Sequence, residues 1–249
     1  MCVTRAERFF ELGESLGKDV LKEAKALSGD SREEAGYKAC VFFFFCKSLK
    51  TFRAIRVLWQ AGFEEDATVL ARTLFETAIQ SMYVTRDPTN HSQRFWQHDG
   101  VERYRFYLEA RKAGEDEWCE EAEESPHFAE IKECHDTYES EFPKKRPWWG
   151  SSIKKLAAAL GPEVEKHYFW VYGQQSKLTH SAAAASEYYF EERGENILVK
   201  CSPAPPVNDE TAEIATLYLI DTAQSAISAM ELPLDTEETL KRFSELRDS

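Results

Sequence analysis

Apolar residues in this chain recur at helical rather than alternating spacing, and glycine and proline are sparse before residue 140. The backbone therefore reads as a series of long helices and the fold class as all-α. A first helix is predicted over about Arg5 to Leu27. A second, over about Glu33 to Ala61, holds Phe42 to Phe45 and continues through Leu49, Phe52, Ile55 and Leu58. Four consecutive phenylalanines cover every side of a helix, so this one is expected to be central and surrounded. A third helix, about Glu64 to Thr85, stops before Asp87-Pro88, because proline cannot continue it and disfavours helical geometry just before itself. A fourth runs from Thr89 or Asn90 to about Lys112. Between Glu115 and Glu124 seven of ten residues are acidic, which reads as a solvated helix face.

The second half is more broken. The irregular segment Phe142 to Ser152, FPKKRPWWGSS, precedes a short helix around Ile153 to Leu160 that Gly161-Pro162 stops. Another long helix is then expected to carry GQQSKLTHSAAAAS, Gly173 to Ser186. Glu187 to Glu192 and Asn196 to Lys200 flank RGEN and read as a small β-hairpin, marginal without packing. Pro203, Pro205 and Pro206 form a stiff connector, followed by helices over about Asp209 to Glu231 and Thr236 to Leu246. No fixed-period repeat and no long low-complexity linker interrupts the chain, so residues 1–249 are expected to form one helical domain.

Lys and Arg total 31 against 44 Asp and Glu, a formal net charge of −13. Such a surface repels phosphate backbones, which disfavours RNA as a general partner. The longest apolar run, Ala39 to Cys46, is far shorter than the roughly 20 residues a bilayer span needs, and the N-terminus has no signal-like stretch. The expectation is a cytoplasmic protein without membrane contact. Its cysteines show no paired spacing and read as reduced thiols. Zinc would require Cys119, His127, Cys134 and His135 to converge, and consecutive residues on a helix diverge, so neither metal nor cofactor is expected.

One polar constellation stands out. Ser176 and His180 lie one helical turn apart, on an arc shared with Phe169, Tyr172 and Ala183, and small neighbours there would let a second helix approach closely. The third helix offers a match in ARTLFETAIQ, where Arg72 and Glu76 are again one turn apart at the border of its apolar arc. A charged pair bordering a core must be hydrogen-bonded. If the helices pack, Arg72, Glu76, Ser176 and His180 form one network, with Tyr172 or Tyr83 closing it. Lys144, Lys145 and Arg146 beside Trp148 and Trp149 make a second candidate, a basic patch with stacking surfaces that could border a binding cleft. Adjacent tryptophans also serve to anchor a loop onto a bundle.

The run R-T-L-F-E, then W-x-G-x-S/I-x-x-L-A before a Gly-Pro stop (Trp148, Gly150, Ile153, Leu156, Ala157), then Y-x-x-x-S-x-x-x-H (Tyr172, Ser176, His180), resembles the bacterial helical family catalogued as domain of unknown function 5677. The similarity spans roughly Glu64 to Tyr189. It implies an α-helical bundle and importance for Arg72, Glu76, Ser176 and His180, and it implies no activity. Three readings stay open. The four residues could lock two helices in register. They could catalyse, His180 activating a ribose hydroxyl or water, Glu76 orienting it, Arg72 stabilising an anionic transition state, and Ser176 less plausibly acting as nucleophile. Or the chain is a helical binding module, a homodimer or the partner of another protein, in a stress or phage-defence system by analogy with other helical families. The catalytic reading is similar to small α-helical ribonucleases of the HEPN type. Their R-x(4 to 6)-H pattern has one local match here, Arg86 to His91 (RDPTNH), whose proline places it in the loop between the third and fourth helices.

Overall fold

The computed structural model describes residues 4–24, 29–142, 147–172, 186, 189–194, 196–199, 202–205 and 208–249. Helices dominate them, as the periodicity requires. In chain order they are α1 (Arg5–Glu23), α2 (Arg32–Gln60), α3 (Glu64–Val84), α4 (Pro88–Ala113), α5 (Asp116–Glu123), α6 (Phe128–Glu141), α7 (Ile153–Leu160) and α8 (Pro162–His167). A π-helical turn (Tyr168–Tyr172) continues α8. The strands β1 (Phe190–Arg193) and β2 (Asn196–Val199) follow, then α9 (Glu210–Met230) and α10 (Glu237–Arg247). No described helix is long and apolar enough to cross a membrane.

Caps set several boundaries. Thr4, Ser31, Asp87 and Ser152 each accept a hydrogen bond from the backbone N–H three residues on, satisfying one of the donors a helix start leaves open. Pro88 occupies the first position of α4, where its missing N–H costs nothing. Gly114 ends that helix at φ 81°, a left-handed conformation that favours glycine. Phe128–Glu141, which carries no strong periodic signal, is also helical.

The buried core is built by α1, α2, α3 and α9, with contributions from Trp148, α7 and Phe243 of α10. Its centre is α9. Ala212, Ala215, Leu219, Ile220, Ala223 and Ala226 are fully buried, and the helix packs against α1, α2 and α3 together. Its alanines let the neighbouring backbones come close. Thr216 Oγ donates to the Phe9 carbonyl of α1 at 3.0 Å, and Thr68 of α3 meets Thr211 of α9 at 2.9 Å. The expectation that the phenylalanine-rich helix would be surrounded is corrected by Phe43, which is 44% exposed beside exposed Cys46 and Lys47, whereas Phe44 and Phe45 are buried. Four successive residues do point to all sides of a helix, but α2 leaves one side in solvent and Phe43 covers it against Phe95 of α4.

Helices α4, α5 and α6 form an outer layer leaning on α2. Gly100 permits the closest approach there, since a Cβ in its place would lie 3.0 Å from Cys134 Cβ. The acidic segment forms α5, with Cys119 alone buried and Glu120, Glu121 and Glu124 exposed. Cys119 and Cys134 are free thiols, and among the described residues no group of three metal-ligating side chains converges.

Candidate functional site

Arg72 and Glu76 sit at the middle of α3, on the border of a face whose centre is the buried Leu74, Phe75, Ala78 and Ile79. Burial of the neighbouring apolar side chains fixes the helix and draws the guanidinium inward, to a side-chain exposure of 12%. Arg72 Nε donates to Glu76 Oε1 at 3.2 Å and Nη2 donates to the Tyr172 hydroxyl at 2.6 Å. The guanidinium carbon also lies 4.0 Å from the centroid of the Tyr172 ring, which adds cation–π attraction. Nη1 is buried without a hydrogen-bond partner among the described residues. The Tyr172 hydroxyl accepts from Arg72, so its own proton is available to another acceptor.

Tyr172 reaches Arg72 because the chain after α8 widens into the π-helical turn, a feature frequent at functional sites. The long helix expected after Pro162 is thus interrupted at Tyr168. Tyr168 stacks on Tyr172 at 4.8 Å, and burial, with the neighbouring Tyr172, pushes its phenol pKa up. His167, at the end of α8, approaches the ring of Tyr218 on α9 at 6.1 Å, and burial lowers its pKa. Tyr218 packs on Phe75 at 5.0 Å, and its hydroxyl is buried with no partner among the described residues. One turn on, burial raises the Asp221 carboxyl pKa to about 7. Polar groups from α3, the α8 turn and α9 therefore meet around Phe75 and Tyr218.

Of the expected network, the structure brings together Arg72, Glu76 and Tyr172. Ser176 and His180 lie outside the described residues. Tyr83 stands elsewhere, stacked on His91 at 3.9 Å and tilted against Trp148 at 5.7 Å. His167, Tyr168, Tyr218 and Asp221 were not singled out from sequence. Asp221, one turn after Tyr218 and the sole charged residue of α9 beyond Glu213, is the signal that could have found the last two.

Lys144, Lys145 and Arg146 lie outside the described residues. Trp148 is 4% exposed, packs against Phe44, Tyr83 and Phe95, and donates from Nε1 to Gln80 Oε1 at 2.9 Å. That ring has no face to offer a ligand and pins the loop to α3. Trp149 is half-buried, edge-on to Trp148.

Of the RDPTNH segment, Arg86 and Asp87 lie in the connection between α3 and α4, as expected, but Pro88 to His91 are helical. Asp87 caps α4, Pro88 begins it and His91 falls within its first turn. The proline starts the helix rather than breaking one. His91 Nδ1 lies 2.8 Å from the Tyr83 carbonyl, which can only accept, so Nδ1 carries a proton and the tautomer with the lone pair on Nε2 is the neutral form this contact selects. Arg86 is exposed and donates to the Leu160 carbonyl at 3.2 Å. His91 lines a polar cleft of about 330 Å³ with Asp87, Asn90, Gln93, Arg94, Gln97 and Glu141.

No curated protein and no solved structure matches the chain. A family model does, over residues 38–197, and that span takes in α2 to the hairpin and every residue of the Arg72 cluster on α3 and the π-helical turn. The chain belongs to the family of unknown function DUF5677.

Proposed function

We propose that the chain is a helical binding module whose working site is the Arg72–Glu76–Tyr172 cluster, and that the site takes an oxyanion such as a phosphate or carboxylate group. The observation that carries this reading is the buried Nη1 of Arg72, which has no partner among the described residues. A buried N–H left unpaired costs about 1–3 kcal/mol, and a fold gains nothing by keeping it empty. With the Tyr172 hydroxyl proton it offers two donors side by side, the fork that carboxylates and phosphates match. Glu76 holds Nε and fixes the orientation of the guanidinium without reaching Nη1. Ser176 and His180, four and eight positions after Tyr172 in the sequence, are the further residues to test by substitution. Such a module acts within a larger system, stress or phage defence being the setting that other helical families suggest. Calorimetric titration with inorganic phosphate at constant ionic strength tests the reading: saturable binding to the wild type, weakened at least tenfold in Arg72→Met, is expected. Equal heats from both proteins would overturn it.

A second reading, metal-independent RNA cleavage, is favoured by one observation, the position of Arg86 and His91 at a helix start with the histidine tautomer fixed. A neutral histidine presenting Nε2 is the form a general base requires. The alternative pair for the same chemistry is Arg72 with His180. RNA incubated with the protein in excess chelator should be cut if either pair is catalytic. Loss of cleavage in His91→Ala but not His180→Ala would place the chemistry at α4, and the reverse at α3. No cleavage of several RNAs by the wild type rejects this reading and leaves the binding module.

A further inference from the structure

The hairpin presents an edge that natural sheets rarely leave open. β2 reads Asn-Ile-Leu-Val and carries no charge, whereas three of the four residues of β1, Phe-Glu-Glu-Arg, are charged. Ile197, Leu198 and Val199 are 66, 41 and 63% exposed, and Phe190, paired with Val199, is half exposed. β1 and β2 pair antiparallel with each other alone among the described residues, and no described helix packs extensively on them. A lone two-stranded hairpin is marginal in water. Charged residues are the usual protection of an edge, and β2 has none.

The register shows what that edge offers. Arg193 pairs with Asn196, two positions intervening in the sequence, and Gly194 has φ 65°. A two-residue loop closes on a hydrogen-bonded pair, and such pairs alternate along an antiparallel ladder. Leu198 is therefore bonded to Glu191, and Ile197 and Val199 turn their N–H and C=O groups away from β1.

We propose that a second copy of this chain occupies the β2 edge, the two β2 strands pairing antiparallel about a two-fold axis into a sheet of order β1-β2-β2-β1. Three features select this occupant. β2 paired with the outer edge of β1 on another copy would leave a free edge at each end and grow without closing, whereas β2 with β2 closes as a dimer. The uncharged strand keeps the acidic residues of β1 on the outside of the sheet. Each copy carries a net charge of −13, so contact through a charge-free segment avoids most of the mutual repulsion.

Sedimentation equilibrium over a range of protein concentration tests this, with Val199→Pro and Ile197→Lys as variants. Val199→Pro removes an N–H that the hairpin's own ladder does not use, and Ile197→Lys places a charge on the open edge while keeping every backbone group. The wild type should approach twice the 28.7 kDa chain mass as concentration rises. Both variants should stay at 28.7 kDa with the wild-type melting temperature. A wild type that stays monomeric throughout, or variants that dimerise as readily, would overturn the proposal.

Discussion

Asp221 is the residue whose environment departs furthest from its sequence. In the string LIDTAQ it looks like a helix-surface carboxylate, yet burial among the packed residues of α9 lifts its pKa to about 7. Its folded value lies above the unfolded one of roughly 3.9, so the native state binds the proton more tightly. That contribution is complete below about pH 4 and is lost as pH rises through about 7. His167 acts in the opposite sense: its depressed pKa supports the fold at high pH, and that support is lost as pH falls through the folded value. Asp221→Asn removes the first dependence and leaves the second. The variant should melt higher than wild type at pH 8 and show a flatter profile between pH 4 and 7. Parallel profiles for the two proteins would contradict the burial of that carboxyl.

The helices α1 to α4, α7, α9 and α10 are legible as elements in the apolar period, because each buries one stripe and signals it. Two features escaped for physical reasons. The π-helical turn at Tyr168–Tyr172 lies against α3, and a run such as YFWVY does not encode that tertiary contact. The second is the extent of the loop at RDPTNH: the α4 start is legible to within one or two residues, but the Asp87 cap makes Pro88 the first helical residue, so His91 is already in the helix. At the same scale, side chains of α2 reach the α1 backbone where α1 carries glycine. A Cβ on Gly13 would fall 2.5 Å from Phe52 Cζ, and one on Gly17 would fall 2.5 Å from Leu49 Cδ1. Both contacts are with buried side chains that cannot swing into solvent. Gly13→Ala gains helix propensity but overpacks this seam, so a net loss of about 1–3 kcal/mol is expected. Urea unfolding should show a lowered midpoint with the slope unchanged. An unchanged or raised midpoint would mean that the seam has room to adjust.

Across the whole molecule, a four-helix core of α1, α2, α3 and α9 carries polar groups on one flank, where α8 and its π turn lie against α3 and α9. The Arg72–Glu76 pair of that flank was readable, since two charges one turn apart at the edge of an apolar stripe demand a partner. Which partner came forward was not, because Tyr172 is separated from Arg72 by 100 residues and the pairing depends on packing. The account stands on Arg72 being held for a ligand rather than for the fold. Thermal unfolding of wild type and Arg72→Met, each in chloride and in phosphate of equal ionic strength, tests it most directly. An apolar side chain of similar length removes the unpaired N–H, so the variant should melt within about 2–4 °C of wild type, the shift of roughly 1 kcal/mol in a chain this size. Phosphate should raise the wild-type midpoint and leave the variant unmoved. A large drop in Arg72→Met, with phosphate acting equally on both proteins, would show instead that Arg72 serves only to lock the helices together.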